Sequence, residues 1–437
     1  MHLGEAIDHL HKTDEMLRRI SLEQDPIDSR DQADGRSRKV LIYSSDSFSP
    51  GHLRQCRAIA NSLVGSFDKL SVLILSGSPI IGRFEFRSRV DFVRVPGVGQ
   101  VSDGEHMPLS LYLNIDQTVQ IRSAIIRNTA EVFEPDIFIV DKEPHGLCGE
   151  VLPTLTMLKE ADTHIVLGLR DVVNAPPLLQ REWNRLNIVP ALENLYSEIW
   201  IYGSDETCNP VDGLDLPKSV TDKIHYTGFL RRHLPERTET VPKQSPVGSE
   251  PYILVKPGGG SGGGLELIEW VLRAYEIRTK QLLPALVILP PFLQGASAAR
   301  LIERARHLRD VTIIRFTPQI EPYLANAAAI VGMGGYNTFC EVLSFDKPAL
   351  MVPPATPDAE QALRIERAAS RRFVNRLRID SHLDPTALAD ALSVLPEAPR
   401  PSSVGIKNLL GGLDVIGERV GRMFASTTAA QSVGSSR

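Results

Sequence analysis

The 437-residue chain is poor in cysteine: Cys56, Cys148, Cys208 and Cys340 are its only four, and they are dispersed. No two stand at the spacing of a metal clamp or a redox pair, which argues against a disulfide framework or a zinc ribbon. Free thiols in a reducing compartment are expected. No apolar run reaches about 18 residues, so no transmembrane span is expected. Met1 to Asp25 is polar and charged and lacks the apolar core of a secretory signal. Charge of one sign is also missing. A net charge of −5 gives nucleic-acid binding no overall electrostatic support. The basic stretches Arg122–Arg127, Arg300–Arg309 and Arg364–Arg378 are short, and each is spaced like the solvated face of a helix. These absences point to a cytoplasmic protein, with room for peripheral contact at the inner face of a membrane.

What is present describes an ordinary globular protein, with 42% apolar and 23% charged residues. The length favours two to three domains. Residues 1–37 read as an appendage and linker. From Lys39 onward, strand and helix signals alternate. Val40–Tyr43, Leu70–Leu75, Asp91–Val95, Asp136–Val140, Thr163–Leu169 and Glu198–Tyr202 read as strands, with helices over Leu53–Leu63 and Leu111–Phe133. A polar, proline-containing stretch at 234–250 reads as a linker between a domain at 38–233 and a second at 251–403. The alternation then restarts, with strands at Tyr252–Val255, Ala285–Leu289, Val311–Arg315, Ala328–Val331 and Ala349–Val352. Helices are expected at Leu265–Arg278, Ala299–Leu308, Pro322–Asn326, Thr338–Leu343 and Gln361–Ser370. A last helix is expected at 404–424 and a disordered tail at 425–437. Strands alternating with helices imply parallel sheets covered on both faces. Such sheets bind ligands at the carboxyl ends of their strands, so two of them facing each other would line one cleft.

The most informative segment is 327–341, Ala-Ala-Ala-Ile-Val-Gly-Met-Gly-Gly-Tyr-Asn-Thr-Phe-Cys-Glu. A short apolar strand runs into Gly334 and Gly335, then into a helix expected to open at Asn337 and Thr338. Glycine lets a ligand approach the backbone closely, and a helix start suits a phosphate or diphosphate. Glu341, about one turn in, is within reach of sugar hydroxyls. The same residues also read as a capping box, in which Thr338 and Glu341 satisfy backbone donors.

Other motifs also fall at strand ends. Lys256-Pro-Gly-Gly-Gly-Ser-Gly-Gly-Gly264 follows a strand and opens a helix, and Gly259 and Gly260 are placed to approach a diphosphate or a sugar. The next strand ends in Leu289-Pro-Pro without the carboxylate that a dinucleotide fold would use on a ribose, which disfavours a dehydrogenase. His52, after Ser49-Pro50-Gly51, stands at a helix start on the cleft edge and has the right ordinary pKa for a general base. Glu360 and Gln361 combine acceptors and donors suited to hexose hydroxyls. Asp141-Lys142-Glu143-Pro144 and Gly168-Leu169-Arg170-Asp171 are dense in charge. Asp141, Glu143, Arg170 and Asp171 are candidates for holding an acceptor or for closing a domain interface.

Together these features resemble glycosyltransferases of the GT-B fold: α/β proteins with two Rossmann-like, doubly wound domains facing a central cleft. The resemblance spans roughly Lys39 to Ser370. It rests on Gly51-His52-Leu53-Arg54, Asp141-Lys142-Glu143-Pro144, Gly168-Leu-Arg-Asp171, Met333-Gly-Gly-Tyr-Asn-Thr-Phe-Cys-Glu341 and Glu360-Gln361. It is strongest with the branch that holds the lipid-II-forming N-acetylglucosaminyltransferase and its uncharacterised relatives. It implies a nucleotide-sugar donor held mainly by the second domain. Gly334, Gly335, Asn337 and Thr338 would face the diphosphate, Glu341 the ribose, and Gln361 with Glu360 the sugar. Phe316 and Thr317 would hold the base through their backbone, and His52 would face the cleft from the first domain. Those relatives usually carry arginines where this chain has Pro354 and Asp358. The expected activity is an inverting sugar transfer from a nucleoside diphosphate donor to an unidentified acceptor hydroxyl. The absence of an Asp-x-Asp segment fits a reaction without metal or other cofactor. An epimerase of the same fold and a non-catalytic nucleotide-sugar-binding subunit are the rival readings.

Overall fold

The computed structural model describes residues 37–45, 50–100, 106–207, 209–235, 247–248, 250–258, 264–277, 281–354, 359–377, 384–404 and 409–434. Gly259, Gly260 and Asp358, the appendage before residue 37 and most of the 234–250 linker lie outside these residues.

The first sheet is built from β1 (Arg38–Ser44), β2 (Leu70–Ser76), β3 (Val90–Arg94), β6 (Ile137–Asp141), β7 (His164–Arg170), β8 (Glu198–Tyr202) and β9 (Ile224–Tyr226). A small hairpin, β4 (Val98–Gln100) and β5 (His106–Pro108), stands apart from it. The seven strands run in the order β3-β2-β1-β6-β7-β8-β9, and neighbouring strands are parallel. The central strands read as continuous apolar runs because helices cover both faces, and Val40, Leu41, Ile42 and Ile137 to Val140 are fully buried. At the edge, β3 buries little beyond Val90.

The second sheet holds β10 (Ile253–Lys256), β11 (Ala285–Ile288), β12 (Val311–Ile314), β13 (Ala329–Gly332), β14 (Ala349–Met351) and β15 (Asn375–Arg376). Its order is β12-β11-β10-β13-β14-β15, again parallel. In each sheet the chain winds outward from a central strand, then crosses to that strand's other side. The reversal falls between β1 and β6 in the first sheet and between β10 and β13 in the second. A crevice opens at the carboxyl end of such a reversal. His52 follows β1 and Asp141 ends β6. Lys256 ends β10, and Gly334, Gly335 and Glu341 follow β13. Both sets of candidate residues therefore sit where the topology leaves room for a ligand.

Three features depart from the sequence expectations. The last helix is Gly412–Gly434, so it starts later than residue 404 and continues past residue 424 into the segment expected to be disordered. It packs on the first domain: Ile416, Val420 and Phe424 join the cluster that contains Val40, Ile59 and Leu63, and Arg419 pairs with Glu198 at 2.7 Å. Helices Leu152–Glu160, Pro176–Arg185 and Ile188–Asn194 were not anticipated. Two of the basic stretches are not wholly solvated, because Arg122 and Arg364 are buried. Arg122 forms a two-pronged bond to Glu150 at 2.6 Å. Among the described residues no helix is long and apolar enough to cross a membrane.

Candidate active site

The helix Gly51–Ser66 starts directly after Pro50, which places His52 in its first turn. The His52 Nδ1 lies 2.5 Å from Asp141 Oδ2. This contact joins two strand ends that are neighbours only because β1 pairs with β6. While Asp141 is ionised it only accepts hydrogen bonds, and in that state Nδ1 carries the proton and Nε2 keeps its lone pair. Burial holds the His52 imidazolium well below its ordinary pKa, and Arg170 and Lys142 add to the effect. Burial likewise raises the Asp141 carboxyl to about 7, against the pull of Arg170 and Lys142. The ring is thus neutral at neutral pH, as a base must be before it accepts a proton. Asp141, expected on the acceptor side, is the hydrogen-bond partner of His52. Gln55, one turn along the same helix, donates to Asp141 Oδ1 at 2.6 Å. The i, i+3 spacing of His52 and Gln55 was visible in the sequence, but their shared target was not.

Across the cleft, the helix after β13 is Tyr336–Ser344 with Gly335 as its N-cap and no side-chain cap. It opens earlier than expected, and Thr338 lies inside its first turn, so the anticipated capping box is absent. The two glycines differ in role. A Cβ on Gly334, whose φ is +77°, would fall 2.4 Å from the Ile365 side chain, whereas nothing lies within 4 Å of one on Gly335. Gly334 is therefore required by packing, and Gly335 has open space beside it.

Glu341 is fully buried. It accepts from Arg54 of the first domain at 2.6 Å and from Lys256 at the end of β10. Burial would raise this carboxyl, but Lys256 and Arg54 together hold it below its usual range. Burial lowers the Lys256 ammonium to about 8 even beside Glu341. Asn337 donates to the Gly51 carbonyl at 2.8 Å and accepts from Arg232 at 2.5 Å. Asn337 therefore places the start of this helix beside His52.

The charged loops close the same cleft. Asp171 takes a two-pronged bond from Arg364, at 2.7 and 2.9 Å. Arg364 also donates to the Gly334 carbonyl at 3.2 Å and to Glu360 at 3.0 Å. Arg170 reaches Glu360 at 3.4 Å, and Arg170 and Arg364 both lie over the Tyr336 ring. Glu143 pairs with Lys142 at 3.1 Å at a more exposed position. Gln361 follows Glu360 and is half-buried. Farther along, Phe316 meets Phe84 edge-on at 6.2 Å, and the Thr317 hydroxyl is used in a local turn with Gln319. The charge-bearing residues that sequence reading did not assign are Arg54, Arg232, Lys256 and Arg364. They became visible only once the two domains met.

Burial would raise the Glu360 carboxyl, but Arg364 and then Arg170 outweigh it and hold the pKa at about 2, below the ordinary 4.5. A carboxylate depressed on folding contributes stability above its unfolded pKa and loses it as pH falls through the folded value. The wild-type melting temperature should therefore fall more steeply than that of Glu360→Gln between about pH 4.5 and pH 2. Parallel melting curves across that window would show that Glu360 carries no such linkage.

Residues 258–392 match the glycosyltransferase family 28 C-terminal domain. No curated protein matches the sequence. Among solved structures the chain is similar to TcCGT1 in complex with UDP, at 13% identity and a TM-score of 0.61, over 89% of this chain and 100% of that one. It is similar to a UDP-glucosyltransferase from Polygonum tinctorium at 13% identity and a TM-score of 0.58, over 90% and 100%. It is also similar to MurG from Acinetobacter baumannii at 12% identity and a TM-score of 0.53, over 88% and 99%. Likeness at such identities establishes the fold, and the expected pair of facing α/β domains is the arrangement found.

Proposed function

We propose that this chain, which carries a glycosyltransferase family 28 C-terminal domain on a GT-B frame, moves a sugar from a nucleoside diphosphate donor to an acceptor hydroxyl. The observation that carries the reading is the His52–Asp141 pair at 2.5 Å. It stands beside the start of the Tyr336–Ser344 helix, to which Asn337 ties it.

His52 Nε2 takes the acceptor proton as the acceptor oxygen bonds to the anomeric carbon. The bond from that carbon to the diphosphate oxygen breaks, and its electron pair leaves with the diphosphate. Attack from the face opposite the leaving group inverts the anomeric configuration. The free N–H groups at the helix start, open on the Gly335 side, meet the developing negative charge. Asp141 keeps the ring oriented and stabilises the imidazolium that forms. Glu341 offers the ribose hydroxyls a carboxylate that stays ionised. Its two ion pairs use only part of its roughly four acceptor sites. Glu360 and Gln361 border the place of the sugar, and Phe316 and Thr317 border that of the base. Because Arg54 covers Glu341 from the first domain, a donor enters when the domains part and is enclosed when they meet.

The test is calorimetric titration with UDP, GDP and TDP on the wild type and on Glu341→Gln. One nucleotide should bind the wild type, and the substitution should weaken it by about 1.5–3 kcal/mol, the value of hydrogen bonds to a charged group. Incubation with the matching nucleotide sugars in EDTA should still release the nucleoside diphosphate, and product analysis with donor alone separates transfer and hydrolysis from epimerisation. Failure of all three nucleotides to bind would sink the reading. A lower melting temperature with unchanged affinity would leave Glu341 a purely structural ion pair.

A further inference from the structure

The bond between His52 and Asp141 is one link in a longer chain of hydrogen bonds. Gln55 is fully buried. Its Nε2 donates to Asp141 Oδ1 at 2.6 Å, and its Oε1 accepts from Arg170 Nε at 3.1 Å. Arg170 Nη1 donates in turn to Glu360 of the second domain at 3.4 Å.

The direction of each bond is forced by chemistry. A guanidinium only donates, so the amide must turn its oxygen toward Arg170. Its NH2 group is then left facing Asp141. With Oδ1 accepting from Gln55, any proton on Asp141 is confined to Oδ2. While the carboxylate is ionised, it accepts at both oxygens, and His52 presents Nδ1–H and keeps Nε2 free. Without Arg170 the Gln55 amide loses the donor that holds its oxygen away from Asp141, and only the carboxylate still favours the observed flip. In the wrong flip it would set oxygen against oxygen at Asp141, and that clash is relieved only if Asp141 takes up a proton.

We propose that Gln55 and Arg170 are positioning residues that fix the polarity of the base, and that Glu360 ties this relay to the second domain. The inference rests on the reading of His52 as the base. The relay moves no proton. It sets which nitrogen of His52 is the acceptor, and it does so most firmly when the domains are closed. The charged and titratable groups facing the pair are Lys142 and Glu143 from the loop after β6, Arg170 from β7 and Glu360 from the Ala359–Ser370 helix. The Tyr202 phenol approaches Asp141 from β8, and the Ser45 backbone also donates to it.

The test is ¹⁵N NMR of the histidine side chains in the full chain without ligand, with the His52 signals assigned by their loss in His52→Ala. The wild-type ring should be neutral and in the Nδ1–H form near neutral pH. Gln55→Leu and Arg170→Leu should each bring in the Nε2–H form, and Arg170→Lys, which keeps a donor, should restore the wild-type pattern. If Gln55→Leu does not fold, Arg170→Leu decides the matter alone, because Arg170 lies at a less buried position. An unchanged Nδ1–H form in every folded variant would overturn the relay. The readout needs no turnover, so the two ideas fail separately. A shifted tautomer in a protein that binds no nucleotide keeps the relay and sinks the transfer reading. Nucleotide binding with an unmoved tautomer does the reverse.

Discussion

His52→Ala should lower kcat by about 10²–10⁴-fold, the usual range for a positioned acid–base group, with nucleotide affinity unchanged. His52 belongs to the first domain, whereas Gly335 and Glu341 belong to the second. Its loss should therefore remove the step that deprotonates the acceptor while leaving donor capture intact. The pH profile adds a second signature. Burial lowers the imidazolium and raises the Asp141 carboxyl to about 7, so the acidic limb of the wild-type rate should belong to the pair as a unit. That limb should vanish in His52→Ala. A fall in kcat of less than threefold in folded protein would move the role of base elsewhere, with Glu143 the next carboxylate to test. Such a result would also weaken the dyad reading of Asp141.

The largest effect on stability is expected from Arg364→Met. Arg364 and Asp171 are both almost completely buried and joined by several bonds at 2.7 to 3.0 Å. Asp171, then Glu360, hold the guanidinium charged more firmly than usual despite its burial. Removing one partner of a buried pair leaves an uncompensated charge and costs about 3–5 kcal/mol. The Gly334 carbonyl also loses the donor that Arg364 supplies. Chemical denaturation should report this loss as a lower midpoint. Replacing both partners, as Arg364→Met with Asp171→Leu, should recover much of it, because a buried ion pair often does little better than apolar groups of the same shape. A cost below about 1 kcal/mol for the single change, the level of an exposed pair, would mean that water reaches Asp171.

The sequence revealed strands better than partnerships. Val40 to Tyr43 and Ile137 to Val140 were legible because a strand buried on both faces is apolar at every position. The place of the candidate site was read from Gly335, His52 and Glu360, which all follow strands, where open α/β sheets bind their ligands. What escaped depends on which strands become neighbours. His52 and Asp141 are 89 residues apart, and nothing local says that β1 lies beside β6. Arg364 was read as solvated because helical spacing counts charges without saying which face the opposite domain will cover. Thr338 and Glu341 fit a capping box by spacing alone. The helix instead begins at Tyr336, its ring buried beneath two arginines, which moves the true cap to Gly335.

The helix Gly412–Gly434 bears on how the protein is made. It supplies Ile416, Val420 and Phe424 to a cluster begun by Val40 and Ile59, so the domain at 38–233 leaves the ribosome before its neighbour and is completed after it. Until some two hundred further residues have been synthesised, that domain waits with an apolar face uncovered, the condition in which nascent chains associate wrongly. The Leu230↔Gly411 bridge then brings the outgoing and returning segments side by side, and the second domain becomes in effect an insertion that the first must close around.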